Sequence, residues 1–100
     1  MTRVSEAEVA KAVIRYLRGR PGHIATILQI KKALPNHLTL SALDRQQSET
    51  RPREELWEQQ VRNIVSHRDS PGNFIHDGRL AYSPRRLSLT AAGLVFAETL

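Results

Sequence analysis

The stretch 50–68, TRPREELWEQQVRNIVSHR, decides how the rest of the chain is read. At 100° per residue, Trp57, Val61, Ile64 and Val65 fall in one sector, while Glu55, Gln59, Arg62, Asn63 and Ser66 face the opposite way. The pattern predicts one long amphipathic helix. Its outer row carries side chains able to read base edges, and these equally suit any solvated helix face. Arg51-Pro52 predicts where the helix starts: the residue before a proline is pushed out of the helical region, and Pro52 fits the first helical position. Glu54 and Glu55 then fall in the first turn, where carboxylates complement the helix dipole. The same carboxylates would repel phosphate there, which weighs against an approach to DNA.

Downstream, 69–73 (DSPGN) breaks the helix with good turn formers, and Phe74 and Ile75 are apolar anchors for its exit. Asp77-Gly78 turns the chain. Residues 80–82 and 87–89 alternate like two short strands around the tip Ser83-Pro84-Arg85-Arg86. Thr90-Ala91-Ala92-Gly93 then caps a last helix, from which Leu94, Val95, Ala97 and Leu100 are expected to close the core. The chain stops inside that helix, so a longer protein is expected.

Upstream, 36–51 is polar but seeded with Leu38, Leu40 and Leu43, which predicts a connection packed on the body. Ser41-Ala42-Leu43-Asp44 can cap a single extra turn, while 45–51 has the composition of a mobile loop. Thr26-Ile27-Leu28-Gln29 is a capping box opening a helix to Leu34, with Ile27, Ile30 and Leu34 inward and Gln29, Lys31 and Lys32 outside. Pro35-Asn36 ends it. Residues 23–25 read as a short edge strand. Ser5-Glu6-Ala7-Glu8 is another capping box, and its helix to Arg18 buries Val9, Ala10, Val13, Ile14, Tyr16 and Leu17. Gly19 and Pro21-Gly22 terminate that helix.

The 100 residues suffice for one domain, 1–100, with a modest core, and 40% apolar with 25% charged residues is ordinary for a soluble chain. No cysteine is present, so neither a disulfide framework nor a thiolate zinc site is available. No run is long and apolar enough for a membrane span, and no signal-peptide core leads the chain, so a cytoplasmic location is expected. The net charge is +5 with a pI of about 10.4, and Arg far outnumbers Lys. Such a surplus favours polyanions through counterion release, and Arg adds a planar fork for phosphate or guanine.

The order helix, short strand, helix, expanded connection, long helix, hairpin is that of a winged helix (winged helix-turn-helix). The expected fold class is therefore mainly α with a small antiparallel β hairpin (α+β). The segment Leu87-Ser88-Leu89-Thr90-Ala91-Ala92-Gly93 is similar to the exit common to winged-helix domains. More narrowly, Arg51-Pro52 through Trp57-Glu58-Gln59-Gln60-Val61-Arg62-Asn63-Ile64 resembles the winged-helix modules attached to Mrr-type and other modification-dependent restriction nucleases, some of which read N6-methyladenine in DNA. The resemblance implies a double-stranded DNA partner, N6-methylated in the sharper form, and a nuclease domain elsewhere in the full-length protein. It also implies that Gln59, Arg62, Asn63 and Ser66 occupy the recognition face, with Arg85 and Arg86 on the wing. The loop arginines Arg45, Arg51 and Arg53 are further candidates for contact with the DNA backbone. A methyl on adenine N6 calls for an apolar or aromatic wall, and Trp57 and Tyr82 are the two candidates. Helical phase puts Trp57 in the middle of the buried side, where a tryptophan is ordinarily core, so Tyr82 beside the tip is the better-exposed aromatic.

No cofactor and no catalysis are expected of this chain. His23, His37, His67 and His76 have no ligand-like spacing, no Gly-rich phosphate loop is present, and the last lysine, Lys32, precedes most carboxylates, which disrupts the usual acid-acid-lysine nuclease order. Two other classes remain: a protein-docking or dimerisation module, favoured by the acidic start of the long helix, and a conventional transcriptional regulator binding two half-sites.

Overall fold

The computed structural model describes residues 3–100 and contains four α-helices and a three-stranded antiparallel sheet. In chain order these are α1 (Glu6–Arg18), β1 (Ile24–Thr26), α2 (Ile27–Ala33), α3 (Glu58–Ser66), β2 (Leu80–Ser83), β3 (Arg86–Leu89) and α4 (Ala91–Ala97). The fold is thus mixed α+β. Strand order is β1-β3-β2, so β3 is central and the hairpin strand β2 lies on one edge. Ala25 pairs with Leu87 and Leu80 with Leu89, and Ala25, Leu87 and Leu80 are buried against the helices. A two-stranded hairpin is marginal alone; the third strand and the helix packing supply what it lacks.

The helix starts follow local capping chemistry. The Ser5 hydroxyl accepts from the Glu8 amide at the head of α1. At α2 the box is reciprocal, with Thr26 Oγ1 accepting from the Gln29 amide and Gln29 Oε1 accepting from the Thr26 amide. Thr90 Oγ1 accepts from the Gly93 amide at α4. Helix α1 lies at the centre and packs on α3, α4 and β3, with Val9, Val13, Ile14 and Leu17 fully buried. Ile30, Leu34, Trp57, Val61 and Ile64 join it in one buried cluster.

Five expectations need correction. The long helix does not begin at Pro52 but at Glu58, six residues later. The segment before it pairs backwards with the connection: Ser48 N–H donates to the Glu54 carbonyl (2.8 Å), Leu56 N–H to Gln46 (2.8 Å) and Trp57 N–H to Asp44 (3.1 Å), around an isolated bridge between Gln47 and Glu55. These bonds use backbone groups that helix would have claimed. The Glu58 carboxylate then accepts the Glu55 amide (2.7 Å), marking the true start. For the same reason 45–51 is not a free loop along its whole length.

Residue 23 does not belong to β1, because His23 takes the left-handed conformation (φ 53°) after Gly22 (φ 70°) and its ring reaches the Leu17 carbonyl. Tyr16 is only partly buried, beside the His37 ring. In α4, Val95 is 67% exposed and Leu100 is also exposed; Gly93 and Ala97 face inward, and Phe96 packs edge-on against Phe74 at 5.2 Å.

The expanded connection is held by one buried carboxylate. Asp44 accepts the Val4 amide at 2.8 Å, the Ser41 amide at 3.0 Å and the Ser41 hydroxyl at 3.1 Å, while the Ser41 hydroxyl accepts the Asp44 amide. Burial would raise the Asp44 pKa, but these donors hold its carboxyl below the ordinary aspartate range. No helix among the described residues is long and apolar enough to cross a membrane.

Candidate nucleic-acid interface

The α2 helix, α3 from Val61 to Val65 with the turn before the helix, and the tip of the β2–β3 hairpin converge on one open groove of about 680 Å³. Its walls are apolar, formed by Ile27 and Leu28 from α2, Val61 and Val65 from α3, and Tyr82 from β2. Its rim is basic, with Lys31, Arg51, Arg62 and Arg85, set against a single carboxylate, Glu54. The hairpin is docked onto α2 where this groove forms, since the Ile27 amide donates to the Arg85 carbonyl at 2.8 Å.

Glu54 organises the rim. One carboxylate oxygen accepts a hydrogen bond from Arg62, and the other meets Lys31 Nζ at 3.1 Å. Burial would push this carboxyl up, yet the hydrogen bonds and charges of Arg62 and Lys31 hold it below the ordinary glutamate range. The acidic helix start is thus rearranged, with Glu58 the carboxylate that stands in the first turn of α3. Glu54 lies outside the helix and is neutralised, and Glu55 is engaged by Arg45 and by the Trp57 indole N–H at 2.9 Å.

The outer row of α3 is partly pre-engaged. Gln59 Nε2 reaches the Ser48 hydroxyl at 3.5 Å, Asn63 Nδ2 donates to Gln60 Oε1 at 3.1 Å, and Ser66 Oγ leans on the Asn63 carbonyl at 3.4 Å. Gln60 in turn donates to the Val4 carbonyl, so the Asn63 flank turns toward the start of α1. Arg62 faces the groove. Arg51, Arg53, Arg85 and Arg86 are exposed and form no salt bridge with the described residues. Arg51 and Arg85 line the groove, whereas Arg53 and Arg86 do not.

Of the two aromatic candidates, Trp57 is 3% exposed and belongs to the core, so it supplies no wall to a ligand. Tyr82 is 39% exposed and lines the groove, with the Arg68 guanidinium 5.3 Å from its ring centroid. Sequence reasoning missed Leu28, Lys31, Val65 and Glu54 as parts of this site. Leu28 carried a signal, because it is a large apolar residue off the inward stripe of α2, and it is 64% exposed.

The histidines are dispersed: His67 meets Glu6 at 2.7 Å, His76 meets Asp77 at 2.9 Å, and His23 and His37 lie elsewhere. Among the described residues no group of three or more His, Cys, Asp or Glu is arranged to hold a metal ion. Comparison with protein-family models, with curated proteins and with solved structures gave no match to this chain.

Proposed function

We propose that this chain is a winged-helix module that binds double-stranded DNA and discriminates N6-methylated adenine, serving a modification-dependent restriction system whose nuclease chemistry resides in a separate domain. The observation that carries the reading is the convergence of α3, the arginine-tipped hairpin and a basic-rimmed apolar groove on one surface. Helix α3 would enter the major groove with Arg62 on the side of the apolar groove and Gln59, Asn63 and Ser66 beyond its lining, while Arg85 and Arg86 at the wing meet the backbone. The element order and the pairing of β1 with β3 support the winged-helix assignment. The restriction context rests on the resemblance of 51–64 alone.

Methylation of adenine N6 removes one hydrogen-bond donor and adds apolar surface. A reader gains selectivity when an apolar wall lies beside its adenine contact, and Leu28, Val65 and Tyr82 supply that wall next to Arg62. Pairing of Glu54 with Lys31 and Arg62 and of Glu55 with Arg45 weakens the support for a protein-docking role, which then rests on Glu58 in the first turn of α3.

The test is fluorescence anisotropy at near-physiological salt on one duplex, unmodified, N6-methylated on adenine in one or both strands, or methylated on cytosine. Tighter binding to methyladenine is the expected result. Equal, salt-sensitive binding to all would leave a general DNA binder, and no binding even at low salt would move the docking reading to first place.

A further inference from the structure

The groove is larger than a major-groove methyl contact needs. At about 680 Å³ it lies within the roughly 300–1,000 Å³ of clefts that enclose whole small ligands. We propose that it receives one nucleotide extruded from duplex DNA, base against the apolar walls and flanking phosphates at the rim. This rests on the duplex-binding reading above and adds to it the state in which the base is taken.

Three features of the groove fit that occupant. Leu28 and Tyr82 are among the most exposed large apolar side chains of the described residues, and both face this one groove. A planar base would cover them, and stacking on an aromatic ring accepts any base because every base has a π-face. Arg51 and Arg85 stand at the rim without a carboxylate partner among the described residues, which suits the two phosphates flanking an extruded base. Glu54, 16% exposed and fixed from two sides, is an acceptor for the exocyclic N–H of a base edge no longer held by its pairing partner. A nucleotide separates its charge from its donor edge, so its phosphates can meet Arg51 and Arg85 while an exocyclic N–H meets Glu54.

Extrusion costs unpairing and unstacking, and the cost is least where the base is already mispaired. The test compares two duplexes of one sequence, with the central adenine paired to thymine or mispaired with cytosine, using anisotropy and methyl NMR of the full chain. The mismatch is expected to bind at least about tenfold tighter and to shift the Leu28 and Val65 methyl signals. Leu28→Ser and Tyr82→Ala should each move the mismatch-to-match affinity ratio toward one, with thermal unfolding checking that each variant is folded. Equal affinity for both duplexes without methyl shifts overturns the pocket while leaving DNA binding intact. Failure to bind any duplex overturns both.

Discussion

Arg85 occupies a position that glycine would take more readily. It follows Pro84 at the hairpin tip with φ 65°, a left-handed conformation that costs a residue bearing a Cβ about 1 kcal/mol or more. Arg85→Gly is therefore expected to raise stability by about 0.5–1 kcal/mol in urea denaturation while weakening duplex binding, since the guanidinium is lost. Stability and affinity moving together would contradict this. Gly93 presents the opposite case. A Cβ built there would lie 2.0 Å from the Arg79 carbonyl oxygen and 2.9 Å from Leu89 Cδ2. The first contact is with backbone and cannot be relieved by a rotamer change, so Gly93→Ala should lower stability by about 1–3 kcal/mol or more. An unfolding midpoint equal to the parent's would show that α4 can slide away from the turn before β2.

Elements in this chain are fixed less by length than by polar pins between them. Asp44 is the clearest, tying the connection to Val4 and hence to the start of α1. Because its pKa is lowered on folding, its contribution to stability is complete above the ordinary aspartate value of 3.8 and disappears as pH falls through the folded value. Asp44→Asn should cost about 1–3 kcal/mol at neutral pH, because one acceptor becomes a donor facing amides. It should also flatten the fall in stability below about pH 4. Glu54 has the same sign and keeps the slope from vanishing. A variant whose acid unfolding matches the parent's would mean that Asp44 is protonated alike in both states.

Across the whole molecule, the +5 charge is not spread evenly in its availability. Glu54 withholds Lys31 and Arg62, while Arg51 and Arg85 stand unpaired at the same groove. Glu54→Gln removes the carboxylate charge and leaves the four cations uncompensated. Affinity for unmodified duplex should rise, and the slope of log K against log salt should steepen by about 1 to 2, as one or two further phosphates are neutralised. An unchanged slope would place Lys31 and Arg62 outside the DNA contact. On the proposed function, Glu54 would limit indiscriminate attraction to phosphate, as a reader that must favour one base over the backbone common to all DNA requires.

What the sequence by itself determined is what depends on neighbours a few residues away. The caps at Ser5, Thr26 and Thr90, the apolar stripe of α1, the hairpin around 83–86 and the buried state of Trp57 all follow from capping geometry, periodicity and turn chemistry, and all are present. The start of α3 was not legible. Residues 52–57 satisfy every local helix signal, yet Asp44, Gln46 and Ser48 compete for their backbone groups across the chain. The inward face of α4 was misread because the close approach of Gly93 to Arg79 sets its rotation, leaving Val95 outside. The groove was the least legible feature. Its walls come from α2, α3 and β2, and Glu54 joins Lys31 to Arg62 across separations that no periodicity encodes. Local hydrogen bonding and side-chain pattern decide which elements form. Long-range backbone pairing and close packing decide where they end, how they are rotated, and which side chains meet.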